Sequence, residues 1–392
     1  MMTSTLVPSH DSSPGGILNL VRSGGYSSRA DIARVAGLAP STVATRVDSL
    51  IRNGYLRETG NGSSNGGRPP RHLEVNPDTG CVLAVDLGAR HATFALFDMA
   101  GGLIQERQLG MDIAQGPQRV LAWVAEVGRT LVSEAGRNGQ GLRGIGIGLP
   151  GPVDSPGRRL VSPSRMPGWN GLDVGAELGE LSGVPCLADN DANLMALGEL
   201  ELLGDDARHF VFVKAGSSIG CGVVASGALH RGHNGVAGDI SHVTVSGGPQ
   251  TPCSCGRSGC LDAVAGGAAI VASLRATGLD VADISAVLEL AQNGHPLATQ
   301  SLREAGSRTG GVLATIVNVF NPGRLVIGGH LSEADAFVAG LRSAIYTECL
   351  PMATDELELT VSRPGRRGGV IGAGRLILDH LFDASVVNET LV

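Results

Sequence analysis

One histidine and three cysteines stand close together in the chain, and they constrain its fold more than any other feature. Their spacing is H-x10-C-x-C-x4-C, and the residues are His242, Cys253, Cys255 and Cys260. Gly256 and Gly259 allow the chain to bend between the thiols. One imidazole and three thiolates form a tetrahedral structural zinc set, which is closed to water and therefore not hydrolytic. The alternative is a group of buried free thiols with His242 at the surface, which three cysteines within one octapeptide disfavour.

The remaining cysteines and the lack of long apolar runs bear on the compartment. An odd total of seven cysteines does not suit a disulfide framework. The other four lie scattered in apolar runs, where we expect them in the core: Cys81, Cys186, Cys221 and Cys349. No run approaches the roughly 18 apolar residues of a membrane helix, and the first residues do not resemble a signal peptide. We expect a cytoplasmic protein with no membrane association.

Charge is distributed unevenly along the 392 residues, a length that suggests two or three domains. The net charge of −7 argues against non-specific coating of nucleic acid. Residues 1–78 nevertheless carry eight arginines and six acidic residues, a net of +2. The rest of the chain holds the other 22 of the 30 basic and 31 of the 37 acidic residues. A small basic head therefore precedes a large acidic body.

Within the head, residues 17–75 have the pattern of three helices and a hairpin. Ser28, with Asp31 three residues later, predicts the start of a second helix, and Gly37 predicts its end. Pro40 suits the first turn of a third helix, whose apolar side chains recur at helical spacing. Two helices joined by a short turn form a helix-turn-helix, and the second of them enters the major groove of DNA.

The other face of that third helix carries side chains that can reach bases and phosphates: Ser41, Thr42, Thr45 and Arg46. Two extended pieces around a Gly/Asn/Ser tip follow, which predicts a wing. Arg68 lies in its stiff Gly-Arg-Pro-Pro arm, which suits a narrow minor groove, and Arg71 follows. The alternative is a three-helix protein-interaction module with a solvated basic face.

Two segments of the body, 82–98 and 209–227, share one pattern, in which a short glycine-bearing turn separates two apolar strands. Such a turn can offer backbone N–H groups to a phosphate. One hairpin in each of two α/β halves is the arrangement of actin-like ATPases and sugar kinases. A repeated glycine hairpin is also common in sheets that bind no nucleotide.

Polar residues stand where a strand is predicted to run into a helix, in ADNDANLMALGE (188–199). Asp189, Asn190 and Asp191 follow one another at the carboxyl end of the strand, where α/β folds place their ligands. Their carboxylate and amide groups can bind sugar hydroxyls, and a carboxylate can also accept a hydroxyl proton during phosphoryl transfer. Helix capping by an Asx residue is the alternative, and it is compatible with a site.

Five segments resemble, in order, motifs of the ROK family, named for its repressors, open reading frames and kinases. They are GLPGPVD (148–154), ADNDANLMALGE, AGDISHV (237–243), CSCGRSGCLD (253–262) and LVIGG (325–329), within a match over about residues 15–380. The resemblance implies a two-lobed, actin-like (ribonuclease H-like) α/β body, preceded in the repressor branch by a winged helix. It also implies a sugar site formed by Asn190, Asp191, Asp239, His242 and Asp262, with His242 also binding zinc.

The phosphate-binding hairpins depart from the kinases of this family. Arg90 replaces the threonine of their D-x-G-x-T motif, and Ala89 replaces a glycine. Ser218 replaces the second glycine of their G-T-G-I-G loop, so that a Cβ crowds backbone that must approach phosphate. We therefore predict that the chain is not an enzyme.

These observations together predict a sugar-responsive repressor of genes for carbohydrate uptake or catabolism. Its partners would be double-stranded, palindromic operator DNA and a sugar or sugar derivative, and it would act as a homodimer or homotetramer. The alternative is an ATP- and magnesium-dependent sugar kinase with Asp191 as catalytic base; a structural zinc protein of a larger assembly has no specific support. We expect a flexible N-terminus (1–14), a winged helix-turn-helix domain (15–78), a first lobe (79–190 with 368–392) and a zinc-bearing second lobe (191–367).

Overall fold

The computed structural model describes residues 11–61, 71–137, 141–154, 158–163, 166–204 and 208–391. The N-terminal domain has three helices followed by an antiparallel hairpin, which confirms the sequence prediction. Its elements are α1 (Pro14–Arg22), α2 (Arg29–Ala36), α3 (Pro40–Arg52), β1 (Leu56–Asn61) and β2 (Arg71–Val75). The tip of the predicted wing, including Arg68, lies outside the described residues.

Local sequence signals set the ends of these helices. The Ser28 hydroxyl accepts a hydrogen bond from the backbone N–H of Asp31 and so caps the start of α2. Gly37 ends the same helix with a φ of 64°, which glycine adopts without strain. Pro40 opens α3. The inner face of α3 buries Val43, Val47 and Leu50 completely.

The first sheet of the body has five strands in the order β5-β4-β3-β6-β7. They are β3 (Cys81–Leu87), β4 (His91–Asp98), β5 (Leu103–Gly110), β6 (Leu142–Leu149) and β7 (Cys186–Asn190). Strands β3, β4 and β5 pair antiparallel, whereas β6 and β7 continue the sheet in parallel with β3. The apolar sides of α4 (Pro117–Glu134) and α5 (Val174–Ser182) cover one face.

The second sheet repeats this plan in the order β10-β9-β8-β11-β12. Its strands are β8 (Phe210–Ala215), β9 (Ile219–Ala225), β10 (Ala228–His230), β11 (Arg324–Gly328) and β12 (Glu358–Val361). An antiparallel hairpin again leads into parallel strands. The two glycine hairpins predicted from the sequence therefore occupy equivalent positions in two similar sheets.

The remaining helices pack around and between the sheets. They are α6 (Asp191–Leu203), α7 (Leu261–Ala265), α8 (Gly267–Ala276), α9 (Ile284–Gln292), α10 (Pro296–Phe320), α11 (Asp335–Glu348), α12 (Pro351–Thr354), α13 (Gly368–Leu381) and α14 (Ala384–Thr390). Helix α6 packs on the second sheet, α13 packs on the first, and the two helices pack against each other. Gly198 and Gly372 make that approach possible, because a Cβ on either would meet the backbone of the facing helix. No helix in the described part of the chain could span a membrane.

The head is joined to the body by shared packing rather than by a linker alone. One cluster of buried side chains runs from Ile17 and Leu56 in the head to Ile377 and Phe382 near the C-terminus. The backbone N–H of Gly15 donates to Oδ1 of Asn388 at 2.9 Å. Two domains that the sequence presents as separate therefore share a hydrophobic core through the last helices of the chain.

Candidate functional site

A cavity lies at the carboxyl ends of the parallel strands, where β7 runs into α6. It encloses about 720 Å³, part of it open to solvent. All five residues that the sequence assigned to a sugar site line it: Asn190, Asp191, Asp239, His242 and Asp262. They come from separate parts of the chain, so the fold brings together what the family motifs suggested.

Hydrogen bonds fix most of these side chains from behind. Oδ1 of Asn190 accepts from the backbone N–H groups of Ala192 and Asn193 and caps α6, so capping and cavity lining occur at one residue. Oδ1 of Asp262 accepts from the backbone N–H of Ile219 at 3.1 Å, which ties α7 to the tip of the second hairpin. Asp239 is exposed, and its carboxylate accepts from the backbone N–H of Ser241. The site is therefore polar and largely preformed.

Lys214, which no sequence motif indicated, reaches into the cavity from β8. Its Nζ donates to Oδ2 of Asp191, and their side chains are only 20% and 7% exposed. Burial opposes the charge of Lys214, but the attraction of Asp191, Asp86 and Asp262 outweighs it and raises its pKa. Burial, and then the negative charge of Asp191, raise the pKa of Asp86 to about 7.

A second cavity adjoins the first, between the turns of the two hairpins. Its lining includes Gly88 and Ala89 from one turn and Gly216 and Ser218 from the other. Asp191 and Lys214 line both cavities. The side chains of Ala89 and Ser218 thus occur at the turns that would have to cradle a phosphate, while Arg90 is exposed to solvent.

Arg231, which no sequence motif indicated either, anchors the loop that leads to Asp239. Its guanidinium donates from Nε and Nη2 to Oδ2 of Asp189, at 2.9 and 2.7 Å, and Asp189 is 5% exposed. Asp189 therefore serves as an anchor for this loop and does not line the cavity. Neither Lys214 nor Arg231 belongs to a local motif, which is why spacing could not reveal them.

The His/Cys cluster forms beside the cavity as its spacing predicted. The four donor atoms of His242, Cys253, Cys255 and Cys260 lie within 4.8 Å of one another and could hold a metal ion. Nδ1 of His242 is 3.4 Å from Sγ of Cys253, and the sulfur atoms of Cys255 and Cys260 are 3.6 Å apart. Donors bound tetrahedrally to zinc would stand about 3.5 and 3.8 Å apart, from bond lengths of about 2.0–2.3 Å. The residues present fit such an ion.

The thiols of this cluster differ in their environments. Hydrogen bonds from the backbone and then the side chain of Arg257 lower the pKa of Cys255 to about 6, whereas burial raises the pKa of Cys260 to about 12. Gly256 and Gly259 have φ angles of 85° and 71°, so both bends need glycine. Cys221, expected in the core, is buried at the wall of the cavity with its thiol toward the carbonyl of Gly238.

Comparison with known proteins identifies the body. The sequence profile of the ROK family matches residues 82–380, which is more than half of the chain. The chain belongs to the ROK family. A profile described as winged helix-turn-helix DNA-binding matches residues 11–57, the head of this ROK protein.

Its relatives include repressors and kinases. The ROK chain is 28% identical over 372 residues to the xylose repressor of Caldicellulosiruptor bescii, covering 91% of this chain and 92% of that one. It is 29% identical over 324 residues to a glucokinase of Halalkalibacterium halodurans, covering 79% and 98%. A solved ROK family transcriptional regulator, a homologue of the Escherichia coli Mlc protein, superposes with a TM-score of 0.81 at 24% identity, over 96% and 98% of the chains. The last likeness shows the two-lobed fold with its winged head.

The candidate DNA-binding residues of this ROK protein have different environments. Ser41 and Thr45 are exposed on α3, and Thr42 is partly exposed between them. The guanidinium of Arg46 donates to the backbone carbonyl of Ser12. Arg71, at the base of the wing, forms an ion pair of 2.7 Å with Glu58. Arg68 is not among the described residues.

Proposed function

We propose that this protein is a sugar-responsive transcriptional repressor of carbohydrate genes, released from its operator by a sugar or sugar derivative. The observation that carries the proposal is that a winged helix shares one hydrophobic core with a body that holds a polar cavity. A repressor needs two arrangements that differ in DNA affinity, and a ligand that binds one of them better. The repressor named among the relatives supports the same function.

The proposed operator is palindromic, and the protein binds it as a homodimer or homotetramer. In a symmetric oligomer, two α3 helices would enter major grooves about one turn apart, roughly 34–36 Å. Closure of the lobes on a sugar would change the spacing of the heads and weaken one of the two contacts. Ser41, Thr42, Thr45 and Arg46 would reach the major groove, and Arg68 and Arg71 the backbone or the minor groove.

We further propose that the metal is zinc and that its role is structural. It would fix the loop that carries His242 and Cys260 to the edge of the sugar cavity, beside Asp262. Since Nδ1 of His242 faces the thiols, Nε2 is the ring nitrogen left for a sugar hydroxyl. Three thiolates and an imidazole suit zinc better than an oxygen-seeking cation.

Binding to DNA fragments tests the proposal directly. The purified protein should bind the promoter region next to its own gene, and one member of a panel of pentoses, hexoses and N-acetylhexosamines should release it. Arg46→Ala should cost about 1–3 kcal/mol of binding if Arg46 reads a base. Arg71→Ala should weaken binding to every sequence alike, as loss of a phosphate contact does. Arg34→Ala, which removes an exposed charge on α2, is the matched control; equal affinity for all three variants would refute the assignment of the DNA surface.

The alternative function, an ATP-dependent sugar kinase with Asp191 as base, is favoured by the glucokinase among the relatives. We propose that the chain lacks this activity, because Ala89 and Ser218 crowd both phosphate turns and Lys214 engages Asp191. A coupled assay with ATP, magnesium and the same sugars decides the question. Clear sugar-dependent release of ADP, abolished by Asp191→Asn, would establish the kinase instead.

A further inference from the structure

Lys214 is the single lysine of the chain. The 30 basic residues are otherwise all arginines, and the lysine stands near the end of a central strand, with its side chain only 20% exposed. Lysine and arginine are not equivalent, since an ammonium is a compact point charge and a guanidinium is a planar fork. The chain uses arginine at all its other basic positions, and it therefore places its one compact cation inside the candidate site.

The ammonium of Lys214, on β8 of the second sheet, lies near two carboxylates that stand at one end of the first sheet. Asp191 begins α6 directly after β7 and accepts a hydrogen bond from the ammonium, while Asp86 is the last residue but one of β3 and is close enough for its charge to act on Lys214. Both Asp86 and Asp191 line the second cavity, and Asp191 lines the first as well. Lys214 and Asp191 thus lie where the two cavities adjoin.

Transfer of a phosphoryl group would require a divalent cation at such a point. A magnesium ion is held by one or two carboxylates together with the phosphates, whose developing charge it neutralises. The same carboxylates repel each other when no cation lies between them. Here the ammonium of Lys214, which is part of the chain, already supplies a positive charge, and it donates a hydrogen bond to one oxygen of Asp191.

We propose that Lys214 is a built-in counter-ion of the effector site, which takes the place of a divalent cation between Asp86 and Asp191. The site then binds a neutral sugar without metal or nucleotide, and its response does not depend on the nucleotide pool. That the ligand is a sugar rests on the function proposed above. The substitution of ammonium for metal can be tested without DNA and without knowledge of the effector.

Manganese is the probe for the first experiment, because it prefers oxygen ligands and gives an electron paramagnetic resonance signal. Lys214→Met should bind Mn²⁺ at least about tenfold more tightly than the wild type, since its carboxylates have lost their partner. The second substitution Asp191→Asn in that variant should remove the gain. Arg324→Met is the matched control, because it deletes a cation of the same sheet that pairs with Glu358 outside both cavities. Equal Mn²⁺ affinity of Lys214→Met and wild type would overturn the proposal.

The wild type provides a measurement that does not depend on a variant folding. Labelling with ¹³Cε-lysine gives one signal, from Lys214 alone. We expect Mg²⁺, with or without a non-hydrolysable ATP analogue, to leave this signal unmoved; a saturable shift would show that a metal enters the site and would refute the proposal. Affinities for D-glucose, D-xylose and N-acetyl-D-glucosamine should likewise be unchanged by Mg²⁺ and the analogue. Failure of the protein to bind an operator would remove the repressor function and leave the Mn²⁺ result standing.

Discussion

The contact between the head and the C-terminal helix can be tested with the substitution Gly15→Ala. Gly15 lies in the first turn of α1, and a Cβ at this position would come 2.5 Å from Cα and 2.6 Å from the carbonyl oxygen of Ala384 in α14. Side-chain carbons do not approach backbone so closely, so α1 and α14 must separate by about 1 Å. The same movement lengthens the hydrogen bond from the Gly15 N–H to Asn388.

The expected cost follows from that geometry. Inserting a methyl group into packed structure costs about 1–3 kcal/mol, and replacing a helical glycine by alanine returns up to about 1 kcal/mol. A net loss of about 1–2 kcal/mol lowers Tm by roughly 2–8 °C at the 2–4 °C per kcal/mol of domains of 150–250 residues. Because Gly15 lies on α1 and not on α3, which carries the candidate major-groove residues, operator binding without sugar should change little. The sugar concentration needed for release should rise, because the head follows the body less closely.

Thermal unfolding and operator release, followed by fluorescence anisotropy, measure the two effects. Gly179→Ala is the control, since Gly179 also lies within a helix, and a Cβ there would make only an ordinary contact of 3.5 Å with the carbonyl oxygen of Val184. This control should unfold at or above the wild-type temperature. If Gly15→Ala unfolds like the control and releases DNA at the wild-type sugar concentration, the shared core of head and body does not couple the two sites.

Three further predictions test other parts of the structure. Asp239→Ala should still bind the operator but should no longer release it with sugar; release at the wild-type sugar concentration would place the effector elsewhere. Cys255→Ser or Cys260→Ser, and removal of metal with a chelator, should impair the sugar response at least as much as the stability, and an unaltered response after metal loss would refute the role of the cluster. The pKa of Asp86 is raised to about 7 in the folded protein, whereas this carboxyl group loses its proton near pH 4 in the unfolded chain. Protonated Asp86 therefore stabilises the folded state at low pH, and this contribution to stability is lost as pH rises from about 4 through 7. Asp86→Asn should therefore be relatively more stable than the wild type at pH 8 than at pH 5 in denaturant titrations, and parallel pH profiles would contradict this.

The charge of the head is less available to DNA than the sequence suggests. Among the arginines of the head that the structure describes, five form ion pairs within the protein: Arg22, Arg29, Arg34, Arg57 and Arg71. Hydrogen bonds, first from Arg71 and then from Arg29, outweigh partial burial and lower the pKa of Glu58, which therefore stays charged between them. The uneven charge pointed to the segment that the winged helix-turn-helix profile matches, but if Arg71 contacts DNA as proposed, an operator phosphate would have to compete with Glu58 for it.

The sequence alone determined the features that depend on neighbours within about twenty residues. Helix capping at Ser28, the left-handed end at Gly37, both glycine hairpins and the His/Cys cluster follow from spacing, because local hydrogen bonds and the reach of a metal ion act over short stretches of chain. The family motifs also assigned five of the residues that line the cavity.

Tertiary structure alone decided which distant polar and charged groups meet. Lys214 and Asp191 are separated by 23 residues, and Gly15 and Asn388 by 373. Nothing in the local pattern around Lys214 distinguishes it from a solvated lysine, because a strand such as β8 can carry a lysine whether its side chain points to solvent or into a site. Only the pairing of β8 with β9 and β11, and the packing of α6 across them, places its ammonium against a buried carboxylate. A buried charge needs a partner at hydrogen-bond distance, and that partner is set by the packing of whole sheets.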